Sequence, residues 1–417
     1  MRTTVRSLPP PSAAGGSGAD LLAAAHGIGE RLVREAVWYR GQCNWIGAEA
    51  GATAHRALGP ALGDGTAGIA LFLAELHAAA AAQTVGETAR AAIAQALAHA
   101  DDVPAVVARG LYAGRPGIAY AAARCAVLLD DERLLRRARR AIGALPHAAP
   151  ADLAGGAAGA ITGLLALARP FDDQRLVAQA TRLGDELTAA ARHGRAGWSW
   201  PAADAPPAEH GRCGLAHGAA GAAWALLELF AATGDARHRD AAEHALDYER
   251  HWFDEVRGDW PDLRGIERRE PRGAFGPPYA TGWRHGAAGI ALSRMRAWRI
   301  LGDERLRDEA ITALTTTAAH TDRALLASRG SFTLGDGLAG NADVLLLGAD
   351  LRPDGAALAR RVGDVGIGRY ATSLDGWPCG GGRTPALLTG DAGIGLFLLR
   401  LRDGAVPSVL WPGALPA

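Results

Sequence analysis

Seven copies of one short element, glycine–two residues–glycine at the head of an apolar run, constrain this 417-residue chain more than any other feature. They begin at Gly65, Gly114, Gly156, Gly218, Gly286, Gly337 and Gly390, with successive spacings of 49, 42, 62, 68, 51 and 53 residues. Each opens a mostly apolar run, such as IALFLAEL after Gly68 and AAWALLELF after Gly221. A helix that is apolar all round must be buried on every side. Charged, amphipathic segments of helical period lie between these runs, at 85–99, 132–144, 172–193, 236–253, 303–320 and 355–368, with another at 20–39. A supersecondary unit repeated at such a period cannot bury its apolar face alone and stacks on its neighbours. Seven inner and seven outer helices predict an all-α fold, an (α/α)7 double toroid of seven helical hairpins, with the N-terminal helix beside the last inner one. Residues 1–19, rich in Pro, Gly and Ser, are expected to be a disordered lead-in, and 20–417 one domain.

In such a ring the N-termini of the inner helices gather at one face. Glycine there allows close backbone approach and suits the non-helical dihedrals of a loop running into a helix. The residues just before the first glycines are Asp64, Ala113, Gly155, His217, His285, Asp336 and Thr389, so two histidines and two carboxylates are expected to converge on a central cavity. Taken singly, each is as readily a polar residue capping or lining a helix start. The long connections 194–216 and 254–285 both end at a repeat glycine and are expected at the same face.

Composition removes several chemistries. All 44 basic residues are arginine, which excludes a P-loop lysine, a kinase lysine and a pyridoxal Schiff base. They balance 44 acidic residues, so nothing global draws the chain to nucleic acid or anionic lipid. Cys43, Cys125, Cys213 and Cys379 form no CxxC pair and read as buried or incidental thiols. No apolar stretch reaches the ~20 residues of a membrane span, and a cytoplasmic location without membrane association is expected. His238-Arg239-Asp240 spells a kinase-like triplet but falls in an outer-helix pattern.

From about residue 20 to 411 the chain resembles the lanthionine synthetase C-like (LanC-like) cyclase family, most of all the cyclase portions of multidomain lanthipeptide synthetases. The segments that carry the resemblance are ALGDGTAGIALFLAEL, ADLAGGAAGAITGLLAL, CGLAHGAAGAAWALLEL, TGWRHGAAGIAL, FTLGDGLAGNADVLL and GWPCGGGRTPALLTGDAGIGLFLLRL. The resemblance implies a double α-toroid. It also implies addition of cysteine thiols of a precursor peptide to dehydroalanine or dehydrobutyrine, closing thioether rings.

Zinc-dependent members hold their metal with a cysteine in Trp-Cys-x-Gly and a later Cys-His pair. Here those positions read Trp283-Arg284-His285-Gly286 and Gly335-Asp336-Gly337, so the three ligands are gone. Arginine has no acceptor to offer a metal, and the residues left fall short of the three protein ligands of a catalytic zinc site. No metal and no cofactor is expected. The resemblance carries the proposed proton-transfer groups onto His217 and Asp152, while an arginine sometimes found before the first zinc cysteine is replaced by Ala280. The expected catalytic set is therefore His217, Asp152, His285 and Arg284, with Asp336, Tyr112 and Trp283 contacting substrate. Arg284 could lower the thiol pKa as a fixed cation, or pair with Asp336 as a tie in place of the metal.

The leading expectation is a zinc-independent lanthipeptide cyclase working on a ribosomally made precursor peptide that separate kinase- or lyase-type dehydratases have dehydrated. The alternative is a non-catalytic LanC-like scaffold that binds the precursor peptide or its modification enzymes. A third reading, a toroid glycosidase, would need a carboxylate pair such as Asp152 and Asp336 across a cleft.

Overall fold

The computed structural model describes residues 18–48, 55–146, 150–201, 209–264, 278–327, 330–373 and 376–411. The chain opens with the outer helix α1 (Gly18–Glu35), and six hairpins follow, each an inner helix and then an outer one. They are α2 (Thr66–Ala80) with α3 (Gln83–Ala98), α4 (Arg115–Leu128) with α5 (Glu132–Ile142), and α6 (Ala157–Ala168) with α7 (Gln174–Ala189). Then come α8 (Ala219–Thr233) with α9 (Ala236–His251), α10 (Ala287–Leu301) with α11 (Glu304–Ala327), and α12 (Leu338–Leu347) with α13 (Asp354–Tyr370). The inner helix α14 (Asp391–Arg402) closes the set and packs on α1. Each even-numbered helix touches the next, and α14 touches α2, so the inner ring is closed. The expected double toroid is the observed fold.

The inner helices are rich in alanine, leucine and isoleucine and are buried over most of their length, from Thr66 to Leu76 in α2 and Ala219 to Leu227 in α8. The outer helices bury one stripe; in α5 this is Leu134, Ala138 and Ile142, at the i, i+4, i+8 spacing of one helical face. Asp131, Asp173 and Asp235 cap α5, α7 and α9 by accepting backbone N–H bonds.

Three local expectations are corrected. The first helix stops at Glu35 rather than 39, because Val37–Tyr39 (β1) pairs antiparallel with Gln42–Asn44 (β2) across the Arg40-Gly41 turn. Both turn residues have positive φ, 49° and 77°, as a two-residue hairpin turn requires. Two further hairpins are Ile46–Ala48 (β3) with His55–Ala57 (β4), and Arg192–Gly194 (β5) with Gly197–Ser199 (β6), so the helical fold carries short strands on its connections. Of the expected disordered lead-in, residues 18 and 19 are the first turn of α1, while 1–17 lie outside the described residues.

The third correction concerns why the repeat needs glycine. Six of the seven first glycines have extended backbone open to any residue, Gly65 at φ −128° among them; Gly286 at +82° is the exception. Close approach is the general reason. A Cβ on the second glycine of every copy would lie 1.7–2.3 Å from the carbonyl oxygen six residues earlier, as Gly117 against Leu111 or Gly393 against Leu387. That carbonyl belongs to a buried leucine in six copies and to Trp283 in the fifth.

A belt of equivalent backbone bonds links the loops ahead of the inner helices. Gly63 N donates to Tyr112 O (2.8 Å), Tyr112 N to Ala154 O (3.1 Å), Ala154 N to Ala216 O (3.1 Å) and Ala216 N to Arg284 O (3.2 Å). Gly335 N donates to Leu388 O (2.7 Å) and Leu388 N to Gly63 O (2.8 Å). The seventh bond, from Arg284 N to Gly335 O, is missing among the described residues. The belt thus opens at one place, between the fifth and sixth copies.

Candidate active site at the mouth of the toroid

The belt encircles a cavity of about 810 Å³ whose walls include Asp64, Arg212, His217, Arg264, Arg284, His285 and Asp336. Small residues of the repeat, Gly59, Gly63, Gly65, Ala113, Ala154 and Gly282, make up much of the remaining wall, which is why the centre stays open.

His217 stands in the fourth copy, just before the N-cap Gly218 of α8. Its ring nitrogen Nδ1 lies 3.0 Å from Asp152 Oδ2, contributed by the third copy. The other carboxylate oxygen of Asp152 accepts from Gly155 N (2.7 Å). A carboxylate can only accept, so Nδ1–H donates to Asp152 and Nε2 is left as the basic nitrogen. Both side chains are partly open, at 30% and 21% exposure, which lets the imidazole meet a solvent-borne substrate.

His285 lies beside it, ring centroids 5.7 Å apart. It is buried, with Nδ1 lacking a hydrogen-bond partner. Burial is the main reason its pKa falls from 6.5 to about 4; Asp262 pulls the other way, and Arg264 and His217 add to the fall. His285 is therefore a neutral imidazole at neutral pH, a narrower role than that of an acid–base group. A folded pKa below the unfolded one contributes stability that is present above the unfolded value and lost as pH falls through the folded value. His285→Asn should therefore flatten the loss of stability between pH 6.5 and about 4, by a difference of roughly 3 kcal/mol at most. Denaturant midpoints of both proteins across that window measure it, and parallel curves would refute it. Glu249 and Asp259 shift in the opposite sense (burial raises them to about 7 and 6), so the comparison must be between the two proteins.

Arg284 and Asp336 span the break in the belt, with Nη1 donating to Oδ2 at 2.7 Å. These two positions are where the resemblance places two of the three metal ligands. The residues present do not fit zinc: a guanidinium cannot ligate it, and among the described residues no three His, Cys, Asp or Glu side chains are grouped to hold a metal. Cys213 is buried, its thiol pushed well up mainly by desolvation, and Cys379 is pushed up to about 11 for the same reason, so neither is a thiolate waiting for one.

Tyr112 and Trp283, expected to contact substrate, line the cavity but are buried, with rings 4.7 Å apart, edge to face. Tyr112 OH donates to Val409 O (2.7 Å) and Trp283 Nε1 to Leu410 O (3.3 Å), so their polar atoms are committed to the C-terminal tail. The tail thereby braces these two lining residues. Arg212 and Arg264, from the two long connections, were not among the expected site residues, although those connections were expected at this face; Arg264 pairs with Asp262. The Asp64–Thr389 hydrogen bond (2.8 Å) joins the first and last copies across the ring closure. His238 lies in α9, as its periodicity indicates, away from the cavity lining.

Residues 56–415 match the family described as lanthionine synthetase C-like protein. Among solved structures the fold is similar to nisin cyclase, with a TM-score of 0.59 and 17% identity over 82% of this chain and 89% of that one. Looser likenesses, at TM-scores of 0.49 and 0.45, are to a GH76 α-mannanase of Bacteroides thetaiotaomicron and to the cellobiose 2-epimerase of Spirochaeta thermophila. Their identities are 10% and 15%, over 94% of this chain and 96% and 97% of theirs. No curated protein sequence matches the chain. No helix among the described residues is long and apolar enough to cross a membrane. By the extent of the sequence match, and in accord with the fold, the chain belongs to the lanthionine synthetase C-like family.

Proposed function

We propose that this chain is a zinc-independent lanthipeptide cyclase, closing (methyl)lanthionine rings in a precursor peptide dehydrated by separate enzymes. The observation that carries the reading is the His217–Asp152 pair at the mouth of the central cavity, beside an arginine–aspartate tie at the family's metal position.

His217 Nε2 takes the proton of a substrate cysteine thiol. The thiolate sulfur then forms a bond to the β-carbon of dehydroalanine or dehydrobutyrine, and the alkene electron pair moves onto the α-carbon and its carbonyl as an enolate. The imidazolium of His217 returns the proton to the α-carbon, so the addition is balanced and the enzyme is regenerated. Asp152 holds the tautomer and stabilises the imidazolium. A free thiol already carries a few per cent thiolate at neutral pH. The remaining work is to raise that fraction and hold the two peptide segments together, where proximity alone can be worth several kcal/mol. Neutral His285 and the Arg284 cation flank the path of the developing charge.

The test is to add the purified protein to a dehydrated precursor and count alkylatable thiols over time. Loss of thiols faster than in buffer alone supports a cyclase. Binding of the peptide with no change in thiol count would favour a scaffold.

A further inference from the structure

The two loops that bear the histidines are anchored from behind in a way that, among the described residues, none of the other five is. Glu249, on the outer helix α9, is fully buried, and its Oε1 accepts from Gly214 N (3.1 Å) and from Ala220 N (2.8 Å). Those amides bracket the segment that carries His217. Asp259, buried in the connection after α9, uses Oδ1 to accept from Trp260 N (2.8 Å) and from Ala287 N (3.1 Å), two residues past His285. Among the described residues no other approach loop is held by a buried carboxylate from the outer helix of its own hairpin or from the connection before it: α2 is met by neutral Gln95, and α14 begins with its own Asp391.

The cost of these anchors argues for a purpose. In each carboxyl group the second oxygen, Glu249 Oε2 or Asp259 Oδ2, is buried without a hydrogen-bond partner. Buried unsatisfied acceptors are rare and expensive in native proteins. Gly214 tightens the requirement. Its φ is +104°, and a Cβ there would lie 2.8 Å from Arg284 O, so the His217 loop is pressed against the loop of Arg284 and His285.

We infer that Glu249 and Asp259 are positioning residues for the reaction, fixing the loops that present His217 and His285 to the cavity. Glu249 clamps both ends of the His217 segment and so sets the imidazole against Asp152. Asp259 sets the first turn of α10 and with it His285. Neither touches the substrate. The inference rests on the proposed cyclase reaction for its consequence, while the placement of His217 is observable without any turnover.

The test compares Glu249→Met, which keeps the shape and removes the acceptor, with Glu249→Gln, which keeps one acceptor oxygen. The methionine variant should lose about 10- to 100-fold in kcat for ring closure with little change in KM, and the His217 imidazole nitrogen resonances should move. The glutamine variant should restore most of the rate and the resonances. A folded methionine variant with unchanged kcat and unmoved His217 resonances would overturn the proposal. If that variant does not fold, hydrogen exchange of the unaltered protein decides: Gly214 and Ala220 amides should exchange as slowly as the core of α8, and fast exchange at both would overturn it. Absence of cyclase activity in the unaltered protein would defeat the cyclase reading alone, because resonance and exchange measurements stand without it.

Discussion

His217→Ala is expected to lower the rate of ring closure by about 10²- to 10⁴-fold, the range over which a positioned acid–base group contributes, with peptide affinity little changed. The expectation follows from one hydrogen bond. Asp152, fixed by Gly155 N, holds Nδ1 of His217 and leaves Nε2 as the basic nitrogen facing the chemistry. Neutral His285 cannot take over, since burial keeps it from holding a proton until about pH 4. Asp152→Asn should produce a smaller fall, because an amide can still touch the ring but no longer stabilises the imidazolium. Single-turnover rates of thiol consumption, with binding measured separately, check both. An alanine variant with the full rate would remove His217 from the mechanism and favour the scaffold reading.

Asp343→Ala should cost roughly 3–5 kcal/mol of stability, the penalty for breaking a buried ion pair by removing one partner. Asp343 in α12 accepts from Arg400 Nε of α14 (2.5 Å) and from Ser408 Oγ (2.5 Å), and Arg400 also donates to Val406 O. Both charged side chains are nearly inaccessible. Removing the carboxylate strands a buried guanidinium and unties Ser408, next to the Val409 and Leu410 carbonyls that hold Tyr112 and Trp283. The loss should therefore reach Tyr112 and Trp283 in the cavity lining as well as the melting temperature. Asp343→Leu combined with Arg400→Met replaces the pair by apolar volume and should recover most of the stability. Chemical denaturation of the single and double variants measures this; a near-neutral single variant would contradict it.

The toroid was legible because its period is written in glycine, and the steric demand is the same at all seven copies. The same register contains a signal that goes unused when only glycines are counted. Leucine stands six residues before the second glycine in six copies, and Trp283 holds that place in the fifth. That pattern marks Trp283 as part of the packed core, and its burial follows. Tyr112 adjoins the cavity in register, and its hydroxyl is used by a chain segment almost 300 residues away, which no local pattern encodes. His217, His285 and Asp336 were named from their place before the repeat glycines, Asp152 and Arg284 from the family resemblance, and the structure gathers four of the five around one cavity with Asp152 behind His217. Glu249 and Asp259 could not be found that way, because one sits in an amphipathic outer helix and the other in a long connection, where buried and solvated carboxylates look alike.

On the proposed reading, the gap in the backbone belt between the fifth and sixth copies is joined by an ion pair rather than a metal, while the histidine carries the proton. The most direct measurement is the initial rate of thiol consumption in a dehydrated precursor by protein stripped with a chelator, compared with untreated protein and with buffer. Equal rates are expected for stripped and untreated protein, both well above buffer, with no gain on adding zinc. A rate that falls to the buffer level on stripping and returns with zinc would contradict it.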